Sequence, residues 1–175
     1  AAIAFSVSVG IALDEAADAV ASFPGVIRRF TERGSFAGSL LIDDYAHLPA
    51  EIEATLLSAR SHPALSGKLI AVFQPNRYHR IATMADTYRD CFVTADVVVI
   101  TDVYASGTPK IEGVTGELVV RAITHAHPDA MVVWAPSRAD TVSVVQSLIR
   151  AGDVCVSMGC GDIETFPDDL SGGVL

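Results

Sequence analysis

The sequence predicts an α/β fold with a doubly wound, mostly parallel, Rossmann-like sheet that carries helices on both faces. Short apolar runs rich in Val, Ile and Leu recur along the chain, as buried parallel strands require. They lie at residues 38–42, 69–73, 97–100, 131–135 and 154–158. Helical periodicities separate the runs, and this alternation is typical of right-handed βαβ crossovers.

Two helices are expected before the sheet, over residues 1–10 and 13–23. The second has Asp14 and Glu15 in its first turn, where acidic side chains complement the helix dipole. A short strand at Thr31–Phe36 is then expected to lie antiparallel at one edge of the sheet.

The segments between the apolar runs carry apolar residues at helical spacing. The four sets are Ile52, Leu56 and Ala59; Ile81, Met84, Tyr88, Cys91 and Phe92; Leu118, Ala122 and Ile123; and Val142, Val145, Leu148 and Ile149. We therefore expect a helix in each segment, packed on one or other face of the sheet.

The composition limits the classes of function. At 175 residues, half of them hydrophobic, the chain suits one ordinary domain with part of another. Twelve basic residues against 21 acidic ones give a net charge of −9. Such a charge opposes binding to polyanions, so we expect no nucleic-acid partner.

The cysteines and the first residues of the chain indicate where in the cell the protein is located. Cys91, Cys155 and Cys160 show neither zinc-ligand spacing nor an even disulfide set, so we expect no metal site and a cytoplasmic location. The apolar start has no initiating Met and no basic flank. We expect no signal peptide, no membrane span, and a chain that is a piece of a longer protein.

Polar side chains crowd the end of the first long apolar run. They are those of Asp43, Asp44, Tyr45 and His47, and Pro49 then begins a helix. Strand packing does not require this cluster, and ligands of α/β sheets gather beyond the carboxyl ends of the strands. Taken singly, each aspartate is also explained as a helix cap and His47 as a surface residue, but the cluster predicts an active-site edge.

A second polar cluster follows the next apolar run, over residues 74–80. Arg77 and Arg80 are expected in the first turn of a helix, where the dipole disfavours a cation by roughly 0.3–1 kcal/mol. Three residues apart, they are also expected to share a helix face and repel each other. A carboxylate or phosphate between them would explain the pair, because the guanidinium fork matches such groups. The alternative is two solvated arginines.

The sequence lacks a phosphate-binding loop of the Gly-x-x-x-x-Gly-Lys-Ser/Thr type, and its only lysines are Lys68 and Lys110. The Gly159-Cys160-Gly161 turn is too short for a dinucleotide fingerprint, and a plain tight turn explains it equally well. We therefore expect that this chain alone binds ATP and magnesium weakly at best and is inactive in any reaction that consumes ATP.

Four motifs in register carry a resemblance to a known family. They are residues 43–49, 73–80, 102–104 and 158–163, preceded by Gly25-Val26-Ile27-Arg28-Arg29-Phe30. The chain resembles the C-terminal domain of the Mur ligases, and within them the members that add L-alanine to UDP-N-acetylmuramate. The resemblance implies that residues 1–30 are the helical tail of the central ATPase domain with its junction, and that residues 31–175 are the C-terminal domain.

The resemblance also implies an ATP-dependent acid–amino-acid ligase of peptidoglycan precursor synthesis. Its partners would be L-alanine, UDP-N-acetylmuramate and ATP with Mg²⁺, bound together with the missing N-terminal and central domains. Arg29 would contact nucleotide phosphate or ribose, and Asp44 a ribose hydroxyl. The substrate-binding residues would be Tyr45, His47, Arg77, Arg80, Gly159 and Gly161, and His47 would also be catalytic.

Two positions depart from the family pattern, which usually has histidine where Leu48 and Asn76 stand. This weakens any role of these positions in proton transfer. Two other classes remain open on the residues alone. One is a receiver-type signalling domain with Asp43, Asp44 and Asp102 as its acidic pocket, although it would need a lysine after a late strand. The other is a non-catalytic amino-acid-binding module.

Overall fold

A computed structural model of the chain describes residues 1–23 and 25–172 and shows one six-stranded sheet in this part. Pro24 and residues 173–175 lie outside the described residues, so the end of the predicted C-terminal domain at residue 175 is not described. The strands are β1 (Thr31–Phe36), β2 (Ser39–Asp44), β3 (Leu69–Phe73), β4 (Val97–Ile100), β5 (Val132–Trp134) and β6 (Val154–Met158). Their order across the sheet is β1-β2-β6-β3-β4-β5.

The strand directions confirm the predicted fold class. β1 pairs antiparallel with β2 at one edge, as expected for Thr31–Phe36, and every other neighbouring pair is parallel. The last strand, β6, lies between β2 and β3 and pairs with both. Periodicity along the sequence did not predict this insertion, because it contains no information on which strands become neighbours.

Helices cover both faces of the sheet. α1 (Ala2–Ser8) and α2 (Leu13–Ala21) precede the sheet and pack against each other, whereas α3 (Pro49–Arg60), α4 (Tyr78–Met84), α5 (Glu117–Ala126), α6 (Arg138–Leu148) and α7 (Phe166–Leu170) lie against it. Alternate residues of a strand point to opposite faces. In β3, Leu69, Ala71 and Phe73 thus pack with α3, α4 and α5, whereas Ile70 and Val72 pack with α6 and α7.

One predicted helix is shorter than its apolar pattern. α4 ends at Met84, a 3₁₀ turn follows over Ala85–Tyr88, and residues 91–94 form a turn. Tyr88 and Phe92 are nevertheless buried, each with its ring centroid 5.5 Å from that of Phe73. The apolar spacing therefore predicted burial correctly and a continuous helix wrongly.

The first two helices pack against each other and bury little in the described part of the chain. α1 has no buried residue and α2 only Ala16. Their large apolar side chains are instead exposed, including Phe5 of α1 at 68% and Leu13 of α2 at 60%. None of the helices in the described ranges is both long and apolar enough to cross a bilayer.

Neighbouring leucines of α3 test which face of this helix stabilises the fold. Leu56 is fully buried and Leu57 is 53% exposed. We expect Leu56→Ala to lower the free energy of unfolding by about 2–5 kcal/mol, because it leaves a cavity in the core. Leu57→Ala is the matched control and should change it by less than about 0.5 kcal/mol. Urea denaturation measures both, and equal losses would contradict the burial described here.

Candidate functional site

The segments that follow β2, β3, β4 and β6 meet at one edge of the sheet, which we call the rim. It comprises residues 43–48, 74–80, 102–104 and 159–162. The Gly159 N–H donates to the Asp44 carbonyl at 3.2 Å, and the Arg77 N–H donates to the Tyr104 carbonyl at 2.9 Å. The structure thus brings the two predicted polar clusters and the glycine turn together, as the carboxyl ends of parallel strands require.

The junction before β1 docks onto this rim through its main chain. The Arg28 carbonyl accepts from the Tyr45 N–H at 2.8 Å. The Phe30 N–H donates to Oδ2 of Asp44 at 2.7 Å. These bonds place both arginines of the junction beside the polar end of β2.

Arg28 is the junction residue that sequence reasoning missed. Its side chain is only 14% exposed and pairs with Asp43 and Glu164, each at 3.0 Å. It also donates to the Gly159 carbonyl at 2.7 Å. The Arg28-Arg29 doublet was the available signal, but only tertiary contacts distinguish its buried member from its exposed one.

The two aspartates differ in environment. Asp43 is fully buried, and burial raises the pKa of its carboxyl although Arg28 acts against that shift. Asp44 is 6% exposed, and its oxygens accept from the Phe30 N–H and the Ala46 N–H, each at 2.7 Å. Asp44 therefore fastens the chain at this edge, and its contact with a ribose stays a prediction.

Arg29 is exposed and stacks with Tyr45. Its Cζ atom lies 5.6 Å from the centroid of the Tyr45 ring, and Cζ of Arg28 lies 5.2 Å from the same centroid. Arg29 forms no ion pair with a carboxylate of the described residues. Its charge is therefore available to an anion at the rim.

His47 is held at the start of α3 by Glu51. Nδ1 of His47 lies 3.1 Å from the Tyr45 carbonyl and 3.2 Å from Oε2 of Glu51. The same carboxylate accepts from the main-chain N–H groups of His47 at 2.9 Å and Leu48 at 3.2 Å. Burial raises the pKa of Glu51, but these bonds outweigh burial and hold it below its ordinary value of 4.5.

Tyr88 connects the 3₁₀ turn after α4 to the His47 segment, whereas the sequence indicated only that it belongs to the core. Its hydroxyl donates to the His47 carbonyl at 2.9 Å. Burial raises the pKa of Tyr88 to about 12, against the opposing effect of the Arg80 charge. Tyr88 thus stays neutral and fixes the chain at His47.

The two arginines after β3 do not share a helix face, so that expectation was wrong. Arg77 is the residue before α4, with a left-handed φ of 63°, and only Arg80 lies in the first turn. Nη1 of Arg80 donates to Oδ1 of the buried Asn76 at 3.1 Å. Within the described ranges neither arginine pairs with a carboxylate.

The glycine turn after β6 is packed closely into the rim. A Cβ atom at position 161 would lie 2.5 Å from Cγ of Tyr104 and 2.5 Å from Oε1 of Gln74, so only glycine fits. Gly159 has a φ of 148°, and both of its main-chain polar groups bond to Asp44 or Arg28. Direct contact of these glycines with a substrate stays a prediction.

A cavity of about 300 Å³ adjoins the rim between the loops after β4 and β5. Its polar lining includes Gln74, Asp102, Tyr104, Arg138 and Asp162. Neither here nor elsewhere in the described ranges are three His, Cys, Asp or Glu side chains grouped so that they could hold a metal ion. The rim therefore offers arginine side chains that can bind an anion, the imidazoles of His47 and His79, and main-chain hydrogen-bond donors.

The chain is similar in sequence to known ligases. The family model for the glutamate ligase domain of Mur ligases matches residues 28–161. UDP-N-acetylmuramate–L-alanine ligases are 40% identical in Rickettsia massiliae and 38% in Rickettsia prowazekii, each over 97% of this chain. The chain spans only 36% and 35% of these relatives.

Solved structures share the fold. The UDP-N-acetylmuramate–alanine ligase of Thermotoga maritima has a TM-score of 0.76 and 24% identity, over 96% of this chain and 34% of its own. A murein peptide ligase of Psychrobacter arcticus has a TM-score of 0.69 and 23% identity, over 99% and 35% respectively. At these identities the likeness establishes the fold alone.

The lowered pKa of Glu51 predicts a pH-dependent contribution to stability. A carboxyl with a depressed pKa in the folded state stabilises the fold above its unfolded pKa, and loses that stabilisation as the pH falls through the folded value. Glu51→Ala should therefore cost about 1 kcal/mol at pH 7, and the cost should shrink below pH 4.5. Urea denaturation between pH 3 and 7 measures it.

Glu53→Ala is the matched control, because Glu53 is an exposed residue of the same helix. Its effect should be small at every pH. A Glu51→Ala cost that grows as the pH falls would contradict the assigned hydrogen bonds.

Proposed function

Because this chain belongs to the Mur ligase family, we propose that it is the C-terminal domain of an ATP-dependent ligase that joins L-alanine to UDP-N-acetylmuramate. The observation that carries the proposal is 40% identity to a ligase of that name over 97% of the chain. In such a ligase the domain closes over substrates held by the other domains.

The reaction makes an amide from the lactyl carboxylate of UDP-N-acetylmuramate and the amine of L-alanine. ATP is the substrate that supplies the phosphoryl group to activate the carboxylate. The contribution of this chain is orientation and neutralisation of charge, which are effective in a site prepared before the reaction.

Arg77 and Arg80 are proposed to bind the alanine carboxylate. Both lie at the rim without an acidic partner in the described part of the chain. A guanidinium fork suits a carboxylate better than a point charge does. Asn76 orients Arg80 through Oδ1, and this supports a fixed geometry for one of the two cations.

His47 is proposed to take the proton that the alanine amine loses. Its Nδ1 faces the Tyr45 carbonyl and Glu51, which fixes the ring. Nε2 has no hydrogen-bond partner in the described ranges and is available as the base. Tyr45, Gly159 and Gly161 would complete the amino-acid site, as the family resemblance implies.

Arg29 and Asp44 are proposed to contact the nucleotide. The exposed Arg29 suits a phosphate or ribose, whereas Asp44 must share oxygens that already accept two main-chain N–H groups. Within the described ranges no three His, Cys, Asp or Glu side chains are grouped as metal ligands, and the sequence carries no phosphate-binding loop. Mg²⁺ and the ATP phosphates are therefore assigned to the missing central domain.

The domain boundary and the location are proposed with the function. Residues 1–30 are the helical tail of the central domain with its junction, and the exposed apolar faces of α1 and α2 support this division. Peptidoglycan precursors with a UDP group place the enzyme in the cytoplasm.

The two other classes lose support. A receiver domain needs a lysine after a late strand, whereas Lys68 precedes β3 and Lys110 follows β4. The family match instead favours a ligase domain over a receiver or a non-catalytic amino-acid-binding module.

This chain alone should show no alanine-dependent release of phosphate from ATP, because it lacks a phosphate-binding loop. The same assay on the complete protein should show release that requires both L-alanine and UDP-N-acetylmuramate. Turnover by the isolated 175 residues, or a complete protein indifferent to alanine, would contradict the proposal.

In the complete enzyme, Arg77→Ala or Arg80→Ala should lower kcat/KM for alanine by an amount equivalent to about 2–5 kcal/mol, as when one partner of a buried charge pair is removed. Lysine at either position should restore little, since it lacks the fork. Steady-state kinetics measures these losses.

Arg121→Ala is the control for these two variants, because Arg121 is 69% exposed and, among the described residues, pairs only with Glu117 of its own helix. It should leave kcat/KM unchanged. An Arg77 or Arg80 variant that matches this control would mean that the arginines are solvated surface charges.

A further inference from the structure

We infer that Arg28 is a positioning residue of the ligase, which holds the glycine turn after β6 and the Tyr45–Arg29 pair in one fixed arrangement. The inference rests on the proposed function and deepens it. It assigns to Arg28 a role different from that of its neighbour Arg29, which faces solvent.

One planar guanidinium joins three parts of the chain. Nε bonds to Asp43 at the end of β2 at 3.0 Å, Nη2 to the Gly159 carbonyl at 2.7 Å, and Nη1 to Glu164 at 3.0 Å. A rigid fork fixes the relative positions of its acceptors in a way that a flexible ammonium does not. Arg28 itself has a left-handed φ of 60°, which is sparsely populated unless its surroundings enforce it.

Arg28 also fixes the Tyr45 ring, against which Arg29 stacks. The Arg28 carbonyl accepts from the Tyr45 N–H at 2.8 Å, and Cζ of Arg28 lies 5.2 Å from the Tyr45 ring centroid. Cζ of Arg29 is 5.6 Å from that centroid. Because Arg29 has no acidic partner in the described ranges, this stacking is its main restraint.

The consequence is that one buried cation controls both sides of the proposed site. Arg29 lies on the nucleotide side and the turn at 159–161 on the amino-acid side. Asp43 is inaccessible to solvent, and Arg28 is the only cation that forms an ion pair with it in the described part of the chain, so the arrangement is specific. Replacement of Arg28 should thus disturb the binding of both substrates together.

The test is steady-state kinetics of Arg28→Gln and Arg28→Lys in the complete ligase. We expect KM for ATP and KM for alanine each to rise by about tenfold to a hundredfold, as for a small misplacement of substrate-positioning groups. Arg28→Lys keeps a positive charge beside Asp43 and should stay folded, yet it should not restore either KM. A purely structural role would instead lower kcat with the active fraction and leave both KM values unchanged.

Arg33→Gln is the matched control. Arg33 also contacts the segment after the glycine turn, through the Glu164 carbonyl at 3.1 Å and Asp168 at 2.8 Å. Within the described ranges it forms no hydrogen bond or ion pair with a rim residue. Its KM values should equal those of the unmodified enzyme. Wild-type KM values in Arg28→Lys, or equal effects of the Arg28 and Arg33 variants, would overturn the inference.

Amide hydrogen exchange separates this inference from the proposed function. In the complete protein, the amides of Tyr45 and of residues 159–161 should exchange about tenfold faster in Arg28→Lys than in the unmodified protein or in Arg33→Gln. Unchanged exchange would overturn the positioning role even if the enzyme is the proposed ligase. An unmodified protein without ligase activity would overturn the proposed function, while the exchange measurement still decides the role of Arg28.

Discussion

The insertion of β6 between β2 and β3 is the constraint on which the rest of the molecule depends. Parallel pairing on both sides of β6 aligns Asp44 and Phe73 with Met158, so three chain segments leave the sheet at the same level. At the amino ends of the strands, the buried Asp153 accepts from the Lys68 and Arg150 N–H groups at 2.7 and 2.8 Å. These bonds fix where the chain enters β3 and β6. Without this pairing the polar ends of the strands would not form one rim.

The arginines at the rim differ in whether their charge is already paired with an acidic group of this chain. The Arg28 side chain is only 14% exposed and bonds to Asp43, Gly159 and Glu164, and its removal is costly because it leaves the buried Asp43 charge uncompensated. Arg29 and Arg77 are exposed and lack acidic partners in the described ranges. In a chain of net charge −9, cations left without a carboxylate at one edge create a local site for anions.

Main-chain groups account for much of the order at this edge. Asp44 and Glu51 each accept two main-chain N–H groups, and the buried Tyr88 hydroxyl donates to the His47 carbonyl. Each of these bonds holds a segment that would otherwise be an unrestrained loop. His47 and Tyr45 thus stand on a rigid support, as a site that must orient two substrates requires.

The amino-acid sequence alone predicts the strands, the two covered faces and the location of the polar clusters, since burial follows local apolar periods of 2 and 3.6 residues. It also determined the family, because the motifs around Asp44, Arg77 and Gly159 are local in the chain. The folded structure was needed to show that the Arg28 side chain is only 14% exposed, that Arg77 precedes α4, and that Tyr88 reaches His47. These features arise from contacts between residues distant in sequence, whose geometry local patterns do not specify.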